Sequence, residues 1–480
     1  MAVRGALMVC GTASDVGKSH VVTGLCRLLA RRGVAVAPFK AQNMALNSYV
    51  TPSGHEIGRA QGVQALAAGV EPDVAMNPIL LKPTGERTSQ VVVMGRPWAH
   101  LDAAAYQAAK PHLVQVALDA LAALRDRYDV VLLEGAGSPA EINLLDRDLV
   151  NLGLAARAGG IPAVVVGDID RGGVFASLYG TVVLLPDHLR PLVRGFVINK
   201  LRGDPALMAD GPAELERRCG VPTLGVIPYL RDVTLDAEDS LSLGRALRAP
   251  PEGEVVVDVA AIAFPRISNF TDLDALAVEP GVGVRLVDHA AALGRPELVI
   301  LPGTKATVAD LAWLRGRGLD QAVAASGATV LGICGGYQMM GRTITDEVES
   351  GAGTVEGLGW LYVETTFAAE KITRQRRGTA LGHRVSGYEI HHGRVSSDTP
   401  WIRLDDAYGA EPEGAESGRH RGTTLHGLFE EDGFRAAFLG RAPSGVSFRA
   451  SREAQFDRLA DALESHLDLD AVERLIKEAG

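Results

Sequence analysis

At 480 residues the chain exceeds what one hydrophobic core ordinarily organises, so two domains are expected. With 47% hydrophobic and 22% charged residues it reads as globular, which excludes a disordered or fibrous chain. A net charge of −10 argues against a nucleic-acid binder, which needs Lys and Arg clustered along phosphates.

The first apolar run, residues 6–10, predicts a buried strand, and Val21, Leu25, Leu28 and Leu29 repeat at helical spacing behind it. This opening run ends at Gly11, too short for a signal peptide, and no run of about 18 apolar residues occurs anywhere. The expected compartment is therefore the cytoplasm, with no membrane partner. Cys10, Cys26, Cys219 and Cys334 show no disulfide or zinc spacing; Cys10 and Cys26 read as small core residues.

Between that strand and helix lies Gly11-Thr-Ala-Ser-Asp-Val-Gly17-Lys18-Ser19. Here backbone N–H groups and a helix N-terminus would face phosphates, Lys18 would neutralise the terminal ones, and the Ser19 hydroxyl would bind Mg2+. The usual pattern puts a glycine where Thr12 stands; here it is one residue earlier, at Gly11. In that displacement the loop resembles dethiobiotin synthetase. The resemblance implies a phosphate contact for Lys40, in Pro38-Phe-Lys40, and an adenine contact for Asn199. A partitioning or septum-positioning ATPase would carry its signature lysine where this chain has Ala13.

Leu113, Val116, Leu121 and Leu124 predict a helix, and strands follow at 130–133, 163–166 and 195–198. Such alternation predicts an α/β fold with a parallel sheet wound on both faces. Glu134, ending the 130–133 strand, lies at the sheet's carboxyl edge, where open α/β folds bind ligands; the same resemblance implies that it binds magnesium, the other reading being a helix-capping acid. Asp146, Asp168, Asp170 and Arg171 fall in loops after strands and are candidate substrate contacts. For Arg171, a bidentate grip on a substrate carboxylate and an internal ion-pair network are equal readings.

An acidic stretch rich in Ser, Pro and Gly, 236–253, reads as a linker between domains at 1–235 and 254–450. The second domain starts with a strand over 255–264, with others at 298–301 and 329–333. After the last comes Gly332-Ile-Cys334-Gly335-Gly336, where flanking glycines let a nucleophile sit exposed on a sharp turn. His426 is the candidate base. Its partner is either Glu430 or absent, since the residue two after the histidine is Leu428. Backbone N–H groups at Gly303 and Gly335 are expected to bind an oxyanion. Together these residues resemble a class I glutamine amidotransferase domain. Arg374-Gln-Arg-Arg377 reads as a solvated loop, the lesser reading being a phosphate-binding patch, His391-His392 as an unpromising metal pair, and 451–480 as one C-terminal helix with Phe456, Leu459, Leu463 and Leu467 on one face.

Longer motifs run through both halves: residues 37–47, Met76-Asn-Pro-Ile-Leu-Leu-Lys-Pro83, Asp168–Gly173, Ile267-Ser-Asn-Phe-Thr-Asp272 and Gly387-Tyr-Glu-Ile-His391. In these the chain resembles the cobyric acid synthases of the cobyrinic/cobyric acid amidotransferase family. The related a,c-diamide synthases are less similar over Gln42-Asn43-Met44 and Met76-Asn77-Pro78. The resemblance implies an enzyme that uses ATP, Mg2+ and glutamine, with no permanently bound cofactor. Its substrate would be adenosylcobyrinic acid a,c-diamide, a corrinoid amidated at four carboxylates.

Overall fold

Residues 5–11 are apolar at almost every position because the strand they form is covered on both faces. Ala6, Met8 and Cys10 point into one core, and Leu7 and Val9 into another. In the computed structural model, which describes residues 3–85, 87–145, 148–208, 210–231, 233, 255–407 and 409–480, this strand is the pivot of a six-stranded parallel sheet. The order is Thr223–Pro228, Val193–Leu201, Ala163–Asp168, Gly5–Gly11, Val130–Glu134, Val36–Phe39. The helix Lys18–Arg31 covers one face with Val21, Leu25, Leu28 and Leu29, and Ala103–Arg127 covers the other with Leu113, Ala117, Leu121 and Leu124. The α/β expectation holds. The expected linker over 236–253 and the candidate contact Asp146 lie outside the described residues.

The chain divides into two compact units along boundaries that its linear order hides. Unit 1 comprises residues 1–45, 56–235 and 452–480; unit 2 comprises 46–55 and 236–451. The C-terminal segment is two helices, Phe448–His466 and Leu469–Glu478, rather than one. The break lies at Leu467-Asp468, where Asp468 caps the second helix through the Ala471 N–H. Leu463, Leu467, Val472 and Ile476 pack into the same core as the helix Lys18–Arg31. Arg27, Arg31 and Arg32 of that helix reach Asp457, Asp461 and Glu464.

Unit 2 holds a second six-stranded sheet, ordered Val282–Val287, Val257–Ile262, Leu298–Leu301, Thr329–Ile333, His420–Thr423, Ala415–Ser417; only the last pairing is antiparallel. Beside it, the long strands Glu364–Ala380 and His383–Ser396 form an antiparallel ladder. The basic run at 374–377 sits inside this ladder, which corrects the expected solvated loop. Arg374 and Arg376 both pair with Glu389 and Glu411, so opposite charge on neighbouring strands carries them into the structure. Burial pushes the Glu389 carboxyl up, but contacts with His391 and Arg374 prevail and hold it at about 2. His391 and His392, adjacent on the strand, bond separate carbonyls, those of Gly393 and Ala368. Among the described residues no helix is long and apolar enough to cross a membrane, and no group of three or more His, Cys, Asp or Glu is arranged to hold a metal ion.

Candidate functional site

Unit 1 gathers its reactive side chains at the carboxyl edge of the sheet, beside the strand where the order reverses, which is where open α/β sheets bind ligands. The loop from Gly11 turns into the helix at Gly17, whose φ of 100° is a conformation glycine tolerates. A Cβ there would stand 2.1 Å from the Asn199 amide nitrogen. That nitrogen donates to the Val16 carbonyl at 2.9 Å. Asn199, expected to contact adenine, thus braces the phosphate loop through its amide N–H.

Glu134 is the hub. Its Oε1 accepts from the Ser19 hydroxyl at 3.0 Å and from Lys40 Nζ at 2.9 Å, and its Oε2 accepts from the Gln64 amide at 2.5 Å. This engagement departs from the helix-capping alternative. Lys18 Nζ bonds the Ala13 and Gly137 carbonyls, across the loop's mouth. The donor set fits Mg2+, which takes one or two protein oxygens and fills its shell with water and phosphate: Ser19 and Glu134 are the residues that would hold it. Sequence alone does not single out Gln64, because an uncharged amide outside the quoted motifs gives no chemical signal until it touches the carboxylate. Next to Gly137, a cleft of about 120 Å³ opens among Gln42, Lys110, Ser138, Glu141, Asp148 and Asn151.

The other expected contacts divide differently. Asp168 accepts from Lys200 at 2.8 Å, and Asp170 pairs with Arg202 at 2.6 Å. Arg171, half exposed, lies 3.7 Å from both Asp15 and Asp168. This is the ion-pair network given as one of two readings.

In unit 2 the strand Thr329–Ile333 delivers Cys334 at φ 50° and ψ −109°, a strained backbone for a residue with a side chain, of the kind that clusters at reactive sites. Two bonds hold it: the Cys334 N–H to the Thr423 carbonyl and the Gln338 N–H to the Cys334 carbonyl. The sulfur lies 4.0 Å from the Ile390 carbonyl. His426 is fully buried, its backbone paired in both directions with Tyr388 and its ring stacked on the Tyr388 ring at 5.2 Å.

The acid beside His426 is Asp272, which corrects the expectation of Glu430 or none. Asp272 Oδ2 lies 2.8 Å from His426 Nδ1, and Oδ1 accepts the Gly427 N–H. Glu430 instead lies on the short turn Leu428–Glu430 that leaves His426 behind, and the imidazole's Nδ1 is already taken. Among the described residues nothing hydrogen-bonds His426 Nε2, the nitrogen left for Cys334. Burial pushes the imidazole pKa down, but the Asp272 carboxylate and then Cys334 outweigh it and raise it to about 10. Gly303 lies against the His426 ring, where a Cβ would stand 2.9 Å from Cε1, and Gly335 packs on Thr304. Gly303 is therefore beside the base, and Gly335 follows the thiol-bearing residue directly in the chain. A thiol, an imidazole and a carboxylate in this relay form a nucleophile with a base and an orienting acid.

Replacing Asp272 with Asn is expected to lower the turnover that depends on the Cys334 thiol about 10²- to 10⁴-fold, as loss of an orienting carboxylate does elsewhere. Because Asp272 raises the imidazole pKa, the alkaline limb of the rate profile should move to lower pH. Glu430→Gln should leave rate and profile near wild type. A rate profile for Asp272→Asn that overlays the wild type would exclude the assignment.

Similarity to known proteins covers both sites. A profile described as a CobQ/CobB/MinD/ParA nucleotide binding domain matches residues 7–243, and one described as a CobB/CobQ-like glutamine amidotransferase domain matches residues 258–434. The chain is 52% identical to the cobyric acid synthase of Nocardia farcinica over 99% of its own length and 97% of that protein's. It is 53% identical to that of Rhodococcus jostii, covering 98% and 96%, and 51% identical to that of Streptomyces coelicolor, covering 99% and 97%.

Proposed function

The chain belongs to the cobyric acid synthase family, an ATP-dependent glutamine amidotransferase family of cobalamin synthesis, and on that premise we propose that it amidates the b, d, e and g carboxylates of adenosylcobyrinic acid a,c-diamide. The observation that carries the reading is that one chain holds both a Glu134-centred phosphate site and a Cys334–His426–Asp272 set. Each centre supplies what the other lacks: a carboxylate is a poor electrophile, and ammonium is no nucleophile.

At unit 2, Cys334 gives its thiol proton to His426 and Sγ attacks the glutamine side-chain carbonyl. His426 donates a proton to the departing ammonia, leaving a glutamyl thioester, and water then cleaves the thioester to glutamate and free thiol. Backbone N–H groups near Gly303 and Gly335 receive the oxyanion. At unit 1, a corrinoid carboxylate oxygen takes the γ-phosphoryl group of ATP, forming an acyl phosphate and ADP. Ammonia displaces phosphate and leaves the primary amide. Lys18 and Lys40 offset negative charge on the transferring group, and Ser19 and Glu134 would hold Mg2+, which would supply further positive charge there.

Four amidations at one centre require the ring to present its carboxylates in turn. A shallow site with release between steps accounts for this, with the exposed Asp170 and Arg171 as rim contacts. A time course with the a,c-diamide, ATP and glutamine should then show free species carrying one, two and three new amides before the final product. Mass spectrometry decides it: arrest after one amidation would reject the four-step function, and absence of free intermediates would reject release between steps.

A further inference from the structure

Residues 46–55 come from the first half of the sequence yet fold as part of unit 2. Asn47, Ser48 and Val50 within this strap are buried. The Ser48 N–H donates to Asn269 Oδ1 at 2.9 Å, and the Phe270 N–H donates to Asn47 Oδ1 at 3.4 Å, so each segment hydrogen-bonds the other's backbone through an asparagine. Asn269 is held at φ 51°, a left-handed conformation that costs energy for a residue with a side chain and persists where its surroundings impose it. Three residues later comes Asp272, the acid on His426. Val50 packs against Tyr388 and Ile390, and the Val50 carbonyl accepts from Gln375 at 2.8 Å. Tyr388 stacks on the His426 ring, and the Ile390 carbonyl neighbours Cys334.

We propose that Asn47, Ser48 and Val50 are positioning residues of the glutaminase, fixing through Asn269 and Tyr388 the carboxylate and ring that hold His426. The proposal rests on the glutaminase reading above. The chain enters the strap from Lys40 and leaves it toward Gln64, two groups that hydrogen-bond Glu134. The strap therefore ties the geometry of the Asp272–His426 pair covalently to the segments that carry the phosphate site, and glutamine hydrolysis depends on residues that the linear order assigns to the ATP half. Displacement of a catalytic pair by about an ångström is enough to slow turnover about 10²-fold.

The test uses the full-length enzyme and two variants that break the latch from opposite sides. Asn47→Ala removes the acceptor for Phe270. Asn269→Gly removes the acceptor for Ser48 while suiting the left-handed backbone, so it preserves the loop's path. Each should lower kcat for glutamine hydrolysis about tenfold to 10²-fold. Each should also move the alkaline limb toward that of Asp272→Asn, since a loosened carboxylate raises the imidazole pKa less. The double variant should be no slower than the worse single one, because both act through one latch. Amidation driven by ammonium chloride should persist, showing an intact ATP unit. Unchanged glutaminase rate and pH limb would overturn the proposal, as would additive losses or an equal fall in ammonia-driven amidation. Wild-type enzyme without glutamine hydrolysis would instead reject the underlying function.

Discussion

Cys334→Ala is expected to abolish glutamine-dependent amidation, by about 10⁴-fold or more, while ammonia-dependent amidation survives. The size of the loss follows from the role: the thiol forms the covalent bond to the glutamine carbonyl, and no neighbouring group replaces a nucleophile. Asp272 and His426 orient and protonate, and neither has a sulfur to offer. The selectivity follows from the architecture. Cys334 belongs to unit 2, whereas Lys18, Lys40 and Glu134 belong to unit 1. Supplying ammonium at a pH that leaves some of it as free ammonia bypasses the thiol but not the acyl phosphate. Product amide per ATP consumed, measured with each nitrogen source, reads both limbs at once. A Cys334→Ala enzyme that fails with ammonium while the wild type responds would refute a glutaminase role confined to unit 2.

Lys18→Ala should suppress amidation with either nitrogen source, by about 10³-fold, because charge neutralisation at the transferring phosphoryl group precedes any use of ammonia. Lys18 Nζ already spans the mouth of the loop between the Ala13 and Gly137 carbonyls. Lys40→Ala should show the same pattern to a smaller extent, about 10²-fold, since Lys40 acts partly by holding Glu134. Glutamine hydrolysis measured without ATP should remain in both variants. Full ammonia-driven turnover in Lys18→Ala would disprove the phosphate site as the place of carboxylate activation.

Much of this protein follows from local sequence, for a physical reason. A buried parallel strand needs a continuous apolar run, so 6–10, 130–133, 298–301 and 329–333 identify themselves, and the strands Leu298–Leu301 and Thr329–Ile333 match residue for residue. Phosphate loops and nucleophile elbows are likewise contiguous devices. Gly17, Lys18 and Ser19 act together because they are neighbours on the chain, as do Cys334 and its glycines. Their chemistry is written in adjacent residues, and so it can be read there.

What depends on residues distant along the chain is a different matter. Asp272 stood within a recognised motif, Ile267–Asp272, yet its partnership with His426 spans 154 positions and becomes visible only when two loops meet. Gln64 joins Glu134 across 70 positions, with no charge to announce it. The basic run at 374–377 looks like a loop until Glu389 and Glu411 arrive on neighbouring strands. The strap 46–55 and the C-terminal helices change units, because burial rewards whichever surface a segment can cover, not the half of the chain in which it was made. Local sequence determined the strands, the two reactive loops and the residues at their tips. The tertiary structure alone decided which carboxylate orients the base and which segments support each centre, since hydrogen bonds and apolar contacts act over ångströms of space and take no account of separation along the chain.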